Sequence, residues 1–139
     1  IYVTHDQKEA FEIADRMIIM KEGKIVQDGY PQKIYRCPKN EFVARFVGDN
    51  NLVESSCLNR CMPSCKPKSL CAIRPEDICI SDEGAYSGRI QKIIYKGNGY
   101  YLHVKLNKNC LTINTRSNIY HVGDIIRFDI QRMHVLGNE

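Results

Sequence analysis

The sequence predicts a mainly β protein: a small all-β barrel preceded by an α/β segment of mixed helix and strand. Three observations carry this. From residue 70 onward, short apolar runs with a period of two recur between turn residues, about six or seven in all. Before residue 49 the apolar residues follow a helical period or form short runs bounded by Gly and Pro. Residues 49–69, between the two, are rich in Asn, Ser, Pro and Cys and read as a linker. The organisation expected is therefore 1–48, a linker at 49–69, and a barrel at 70–139 whose first strand begins at 70 or already near 52.

Taken in order, Ile1-Tyr2-Val3 reads as the end of a strand that runs through Thr4-His5 into a helix, with Asp6 as N-cap and Glu9 as its partner three residues on. Ala10, Ile13, Ala14 and Met17 recur at helical spacing, predicting an amphipathic helix from Gln7 to Met17 with that face buried. Arg16–Met20 and Lys24–Gly29 form a hairpin around Lys21-Glu22-Gly23. Pro31 opens a helix carrying Ile34 and Tyr35 that stops before Pro38, and Glu41–Val47 forms another that Gly48 ends. These pieces make apolar faces but no closed core, so residues 1–48 are expected to lean on the barrel or on another copy of the chain.

In the barrel, Leu70–Arg74 is a strand stopped by Pro75-Glu76-Asp77, and Ile78–Ile80 is a second. Gly88–Lys96 and Tyr100–Leu106 flank a tight turn at Gly97-Asn98-Gly99. In the latter strand Leu102, Val104 and Leu106 face one way and Tyr101, His103 and Lys105 the other. Cys110–Thr115, Ile125–Ile130 and Met133–Leu136 complete the set.

Composition narrows the function classes. The net charge of +4 comes from 20 basic and 16 acidic residues of mixed order, too mild an excess for a nucleic-acid partner. No run approaches the roughly 18 apolar residues of a spanning helix, so the chain is expected to be soluble. Seven cysteines without an export signal read as reduced thiols. Cys57, Cys61 and Cys65 are spaced by three residues each. Zinc knuckles use a C-x-x-C spacing and a fourth ligand, both missing here, so no metal is expected.

His5 stands where a strand would give way to a helix start, a place suited to a phosphate or an attacking water, although a lone imidazole is more commonly just solvated. Arg74-Pro75-Glu76 is either a structural turn with Arg and Glu paired across it or a contact for a subunit or ligand. His103, His121 and His134 read as strand or turn residues. Tyr95, Tyr100 and Tyr101 with Lys96 and Arg89 have the composition of a single-strand-binding platform but lack the basic groove it needs.

The run Thr4-His5-Asp6-x-x-Glu9-Ala10, then Ala14-Asp15-Arg16-Met17-Ile18-Ile19-Met20 and Gly23-Lys24-Ile25-Val26-Gln27-Asp28-Gly29, resembles the end of an ATP-binding-cassette (ABC) transport ATPase. Pro31-x-x-Ile34-Tyr35-x-x-Pro38, Phe42-Val43-Ala44-x-Phe46-Val47-Gly48 and Asn51-Leu52 continue the pattern. The resemblance implies that His5 is the switch histidine, which in that family reaches the γ-phosphate of ATP and the attacking water. Ile73-Arg74-Pro75-Glu76-Asp77, Gly88-x-Ile90, Tyr95-x-Gly97, Val122-Gly123-Asp124 and His134-Val135-Leu136 resemble the TOBE domain, an OB-like barrel that follows the ATPase in many bacterial importers.

Together these resemblances imply the C-terminal regulatory and dimerisation region of an importer's ATP-binding subunit. ATP and Mg²⁺ would be used by the full-length parent and bound by none of this chain, because the phosphate-cradling G-x-x-x-x-G-K-[ST] loop is absent from it. The chain alone is expected to be inactive. The implied partners are a second copy of the subunit, the membrane permease subunits and, indirectly, a substrate-binding protein. The location implied is cytoplasmic, peripheral on the inner face of the cell membrane, and the cargo a polyamine, iron(III), a sugar or an oxyanion. The alternative is a free-standing TOBE protein that binds a small oxyanion, against which residues 1–48 argue.

Overall fold

The computed structural model describes residues 1–58, 66 and 68–137. They fall into two units, one built on Ile1–Asp49 and the other on Asn50–Val135.

In the first unit, α1 spans Gln7–Ile13 and ends at Ala14, whose backbone is already extended. The helix expected to run to Met17 is thus one turn shorter, because Met17 is needed as the first residue of strand β1 (Met17–Lys21), opposite Gly29 of β2 (Lys24–Gly29). The buried face expected of this helix changes accordingly. Ile13 is exposed, while Phe11 packs inward with Ala10 and Ala14 and meets the Tyr35 ring edge-on at 6.0 Å. Helix α2 (Pro31–Arg36) opens on its proline, and α3 (Glu41–Phe46) is capped by Asn40, whose buried side-chain oxygen accepts the Val43 N–H at 3.0 Å. Met17, Ile19, Ile34, Val43 and Val47 form the core between hairpin and helices. Ile18, Met20 and Ile25 remain exposed.

The segment Ile1–Val3, expected as a strand end, forms no strand and is exposed. An extended segment becomes a strand only by exchanging backbone hydrogen bonds with a neighbour, and none lies beside it among the described residues.

The second unit contains two antiparallel sheets. Strands β3 (Asn51–Glu54), β4 (Leu70–Ile73) and β10 (His134–Val135) lie in the order β10-β4-β3, so part of the stretch read as linker is a strand. Strands β5 (Ile78–Ile80), β6 (Tyr86–Tyr95), β7 (Tyr100–Leu106), β8 (Asn109–Thr115) and β9 (Ile125–Ile130) lie in the order β5-β9-β6-β7-β8. This curled sheet and its smaller companion give the mainly β, OB-like fold expected. Ile73, Ile90, Leu102, Val104, Leu111, Ile113 and Phe128 fill its interior, and the alternation in β7 puts Leu102, Val104 and Leu106 inside.

Three local features shape the barrel. A register shift between Ile90 and Lys92 bends β6. At Gly88 a Cβ would come within 2.5 Å of Val104 Cγ1 and 2.6 Å of the Lys105 carbonyl oxygen, so only glycine lets β7 pass this closely. On β3, the Asn51 side chain donates to the Thr112 carbonyl (2.8 Å) and accepts the Thr112 N–H (2.7 Å), joining β3 of the small sheet to β8 of the large one. No helix among the described residues is long and apolar enough to cross a membrane.

Candidate functional site

His5 lies at a bend just before α1 and is exposed, with no side-chain hydrogen bond among the described residues. The backbone around it is held from below. Asp6 caps the helix by accepting the Glu9 N–H (3.1 Å), and the Asp6 N–H donates to Thr4 Oγ1 (3.0 Å). The Glu9 carboxylate accepts the Tyr2 hydroxyl (3.0 Å) and the Thr4 hydroxyl (3.2 Å). Asp6 thus does what the sequence predicts of an N-cap, whereas the Glu9 side chain ties Tyr2 and Thr4 to the helix. The result is a braced loop with a free imidazole, able to donate or accept one proton toward a group brought to it.

Farther along, the side chains of Arg16 and Asp28 make two parallel bonds across the hairpin, at 2.8 and 2.9 Å. The hydrogen bond from Arg16 holds the Asp28 carboxyl below the usual carboxylate range, and the same bond raises the already high pKa of Arg16.

In the second unit, Arg74-Pro75-Glu76 leads from β4 into a single 3-10 turn at Pro75–Asp77. Arg74 is only 5% exposed and Pro75 is buried, which the sequence did not indicate, while Glu76 is exposed. The Asp77 N–H returns to the Arg74 carbonyl (3.0 Å) and the Asp77 carbonyl accepts from Gln131 N–H (2.8 Å), so the turn is anchored at the end of β9. The three residues form one hydrogen-bonded corner with Arg74 and Pro75 buried and Glu76 on its outside.

The remaining candidates are dispersed. Cys57 is half-buried against the barrel core, and Cys61 and Cys65 lie outside the described residues. No group of three or more His, Cys, Asp or Glu converges among the described residues. His121 is exposed, 3.9 Å from the Asp124 carboxylate. Tyr95 and Tyr100 pack at 5.3 Å between ring centroids, and Lys96 Nζ lies 5.0 Å from the centre of the Tyr101 ring, so that ring carries a cation of its own chain. What sequence reading missed is the Asn51 clamp, since no period or motif says which edge strand its amide will face.

Residues 71–136 match the family model described as the TOBE domain. Nearly the whole chain matches the C-terminal region of ABC transporter ATP-binding subunits.

Particular relatives are proteins named spermidine/putrescine import ATP-binding protein PotA. That of Onion yellows phytoplasma (strain OY-M) is 34% identical over 154 aligned residues, covering 98% of this chain and 37% of the relative. That of Clostridioides difficile (strain 630) is 33% identical, covering 100% of this chain and 45% of the relative. That of Borreliella afzelii (strain PKo) is 37% identical, covering 84% and 38%. The chain therefore spans less than half the length of each of these curated relatives.

Proposed function

We propose that the chain is the regulatory and dimerisation end of the ATP-binding subunit of a polyamine importer. The observation that carries this is the match of nearly the whole chain, both units included, to proteins named for spermidine/putrescine import. Residues 1–48, absent from a stand-alone oxyanion binder, weigh on the same side.

In this reading each unit has one task. His5, braced by Asp6 and Glu9 yet free at its imidazole, reports the state of a nucleotide held by the rest of the subunit. ATP with Mg²⁺ supplies the free energy when bound there, and its phosphate-cradling loop is outside this chain. The barrel holds two subunits together through the Arg74-Pro75-Glu76 corner, where Glu76 is exposed at a turn hydrogen-bonded to the end of β9. The permease and, through it, a substrate-binding protein complete the importer, and the subunit works at the cytoplasmic face of the membrane.

The test is uptake of labelled spermidine and putrescine by cells whose whole reading frame carries His5→Ala. Uptake is expected to fall to the level of a deletion with the protein still present at its normal amount. Undiminished uptake would refute the reading.

A further inference from the structure

The outer surface of the five-stranded sheet concentrates positive charge in an arrangement that costs stability. Arg89 on β6 is directly opposite Lys105 on β7, and like charges in opposed positions repel. Lys92 is opposite His103 one step further along the same pair of strands. Arg127 on β9 is opposite Ser87, one pleat from Arg89 on the same face. Arg89, Lys92, Lys105 and Arg127 are all exposed, and none of them forms an ion pair among the described residues. Two are nevertheless fixed in place: Arg89 Nη1 donates to the Gly123 carbonyl (3.0 Å) and Arg127 Nε to the Gly84 carbonyl (3.0 Å). A backbone carbonyl orients a guanidinium without neutralising it, so its remaining donors stay available.

Beside these cations lies apolar surface. Ile125 is opposite Arg89 and is 64% exposed, and Val122, next to the glycine that holds Arg89, is 63% exposed. Arginine is enriched in protein interfaces, and two oriented arginines stand here beside exposed aliphatic side chains that a partner would cover. A nucleic acid would satisfy the cations but leave Ile125 and Val122 uncovered, and the nearby Tyr101 ring already carries Lys96. A second copy docking through the same face by two-fold symmetry would set this cationic band against itself.

We propose that this face is a docking surface for a different protein, one that presents carboxylates beside apolar side chains. Charge complementarity would cancel the Arg89–Lys105 repulsion on binding, while Ile125 and Val122 are covered by the partner's apolar groups.

The probe is a labelled peptide of repeated Glu-Leu-Glu, about twelve residues long, titrated into the full chain at low salt and followed by fluorescence anisotropy. Saturable binding is expected, weakened at least about tenfold by Lys105→Glu and by Lys92→Glu, with NMR shifts confined to the amides around Arg89, Lys105 and Ile125. Lys105→Glu replaces repulsion with attraction toward Arg89, so it should melt no lower than the parent chain, which separates lost binding from lost folding. No saturable binding, equal binding by both variants and the parent chain, or tighter binding of an oligo-dT of equal charge would overturn the proposal.

Discussion

The side-chain amide of Asn51 meets the backbone of Thr112 in both directions, donating to its carbonyl at 2.8 Å and accepting its N–H at 2.7 Å. One side chain thus completes a rung that backbone alone would make in a continuous sheet, and it links two strands whose backbone pairing leaves them in separate sheets.

Replacing Asn51 with Ala strands the N–H and carbonyl of Thr112 at a part-buried position. The loss expected is about 1–3 kcal/mol, the usual cost of unsatisfied buried groups. Urea unfolding followed by far-ultraviolet circular dichroism measures it. An unchanged midpoint would mean that the two sheets hold together without the clamp.

Two glycines should respond differently to substitution. Gly88→Ala forces a methyl against Val104 and the Lys105 carbonyl, and overpacking of this kind costs about 1–3 kcal/mol. Gly97 has open space around it but a φ of +84°, so Gly97→Ala pays the left-handed penalty of about 1–2 kcal/mol. Gly97→Asn should recover part of the loss, whereas Gly88→Asn should be worse than Gly88→Ala. Thermal melts of the four variants provide the comparison.

These two sites also mark how far sequence carries. The turn at Gly97-Asn98-Gly99 is legible because turn chemistry is local, and the alternation of Leu102, Val104 and Leu106 is legible because a strand's period is fixed by its pleat. The contact between Gly88 and β7 is visible only as a motif glycine, without its reason. Asn51 and Thr112 are 61 residues apart, and nothing local specifies that pairing. Arg74 reads as an exposed ion-pair candidate because charge favours the surface, yet the corner buries it. Ile1–Val3 fails as a strand for the opposite reason: β propensity is present, but a pairing neighbour among the described residues is not. Around His5, the Asp6 cap is legible because capping is local, whereas the Glu9 side chain serves Tyr2 and Thr4, which no capping rule specifies.

The hairpin pair Arg16–Asp28 gives a pH dependence of known sign. Asp28 is shifted below its unfolded value, so its contribution is present above the ordinary carboxylate range and is lost as pH falls through the folded pKa. Arg16 is raised and stays charged throughout. In an NMR titration, β1 and β2 amide shifts should move together with the Asp28 carboxyl on acidification, and Asp28→Asn should abolish that movement. Both groups are exposed, so the global midpoint should change little.

If the Arg74-Pro75-Glu76 corner joins two subunits, the chain should sediment as a concentration-dependent dimer. Glu76→Lys should shift it toward monomer while the far-ultraviolet circular dichroism spectrum at about 20 °C stays that of the folded chain. Dimerisation unaffected by that change would move the contact elsewhere.

If His5 is a switch residue that serves a nucleotide held by other parts of the subunit, phosphate release tests it most directly. The chain alone should release phosphate from ATP no faster than buffer. The whole subunit with Mg²⁺ should turn over, and His5→Ala should remove nearly all of that turnover while changing stability by less than about 0.5 kcal/mol, as befits an exposed residue. Turnover by the isolated chain that disappears in His5→Ala, or a whole subunit indifferent to His5→Ala, would rule out the switch role.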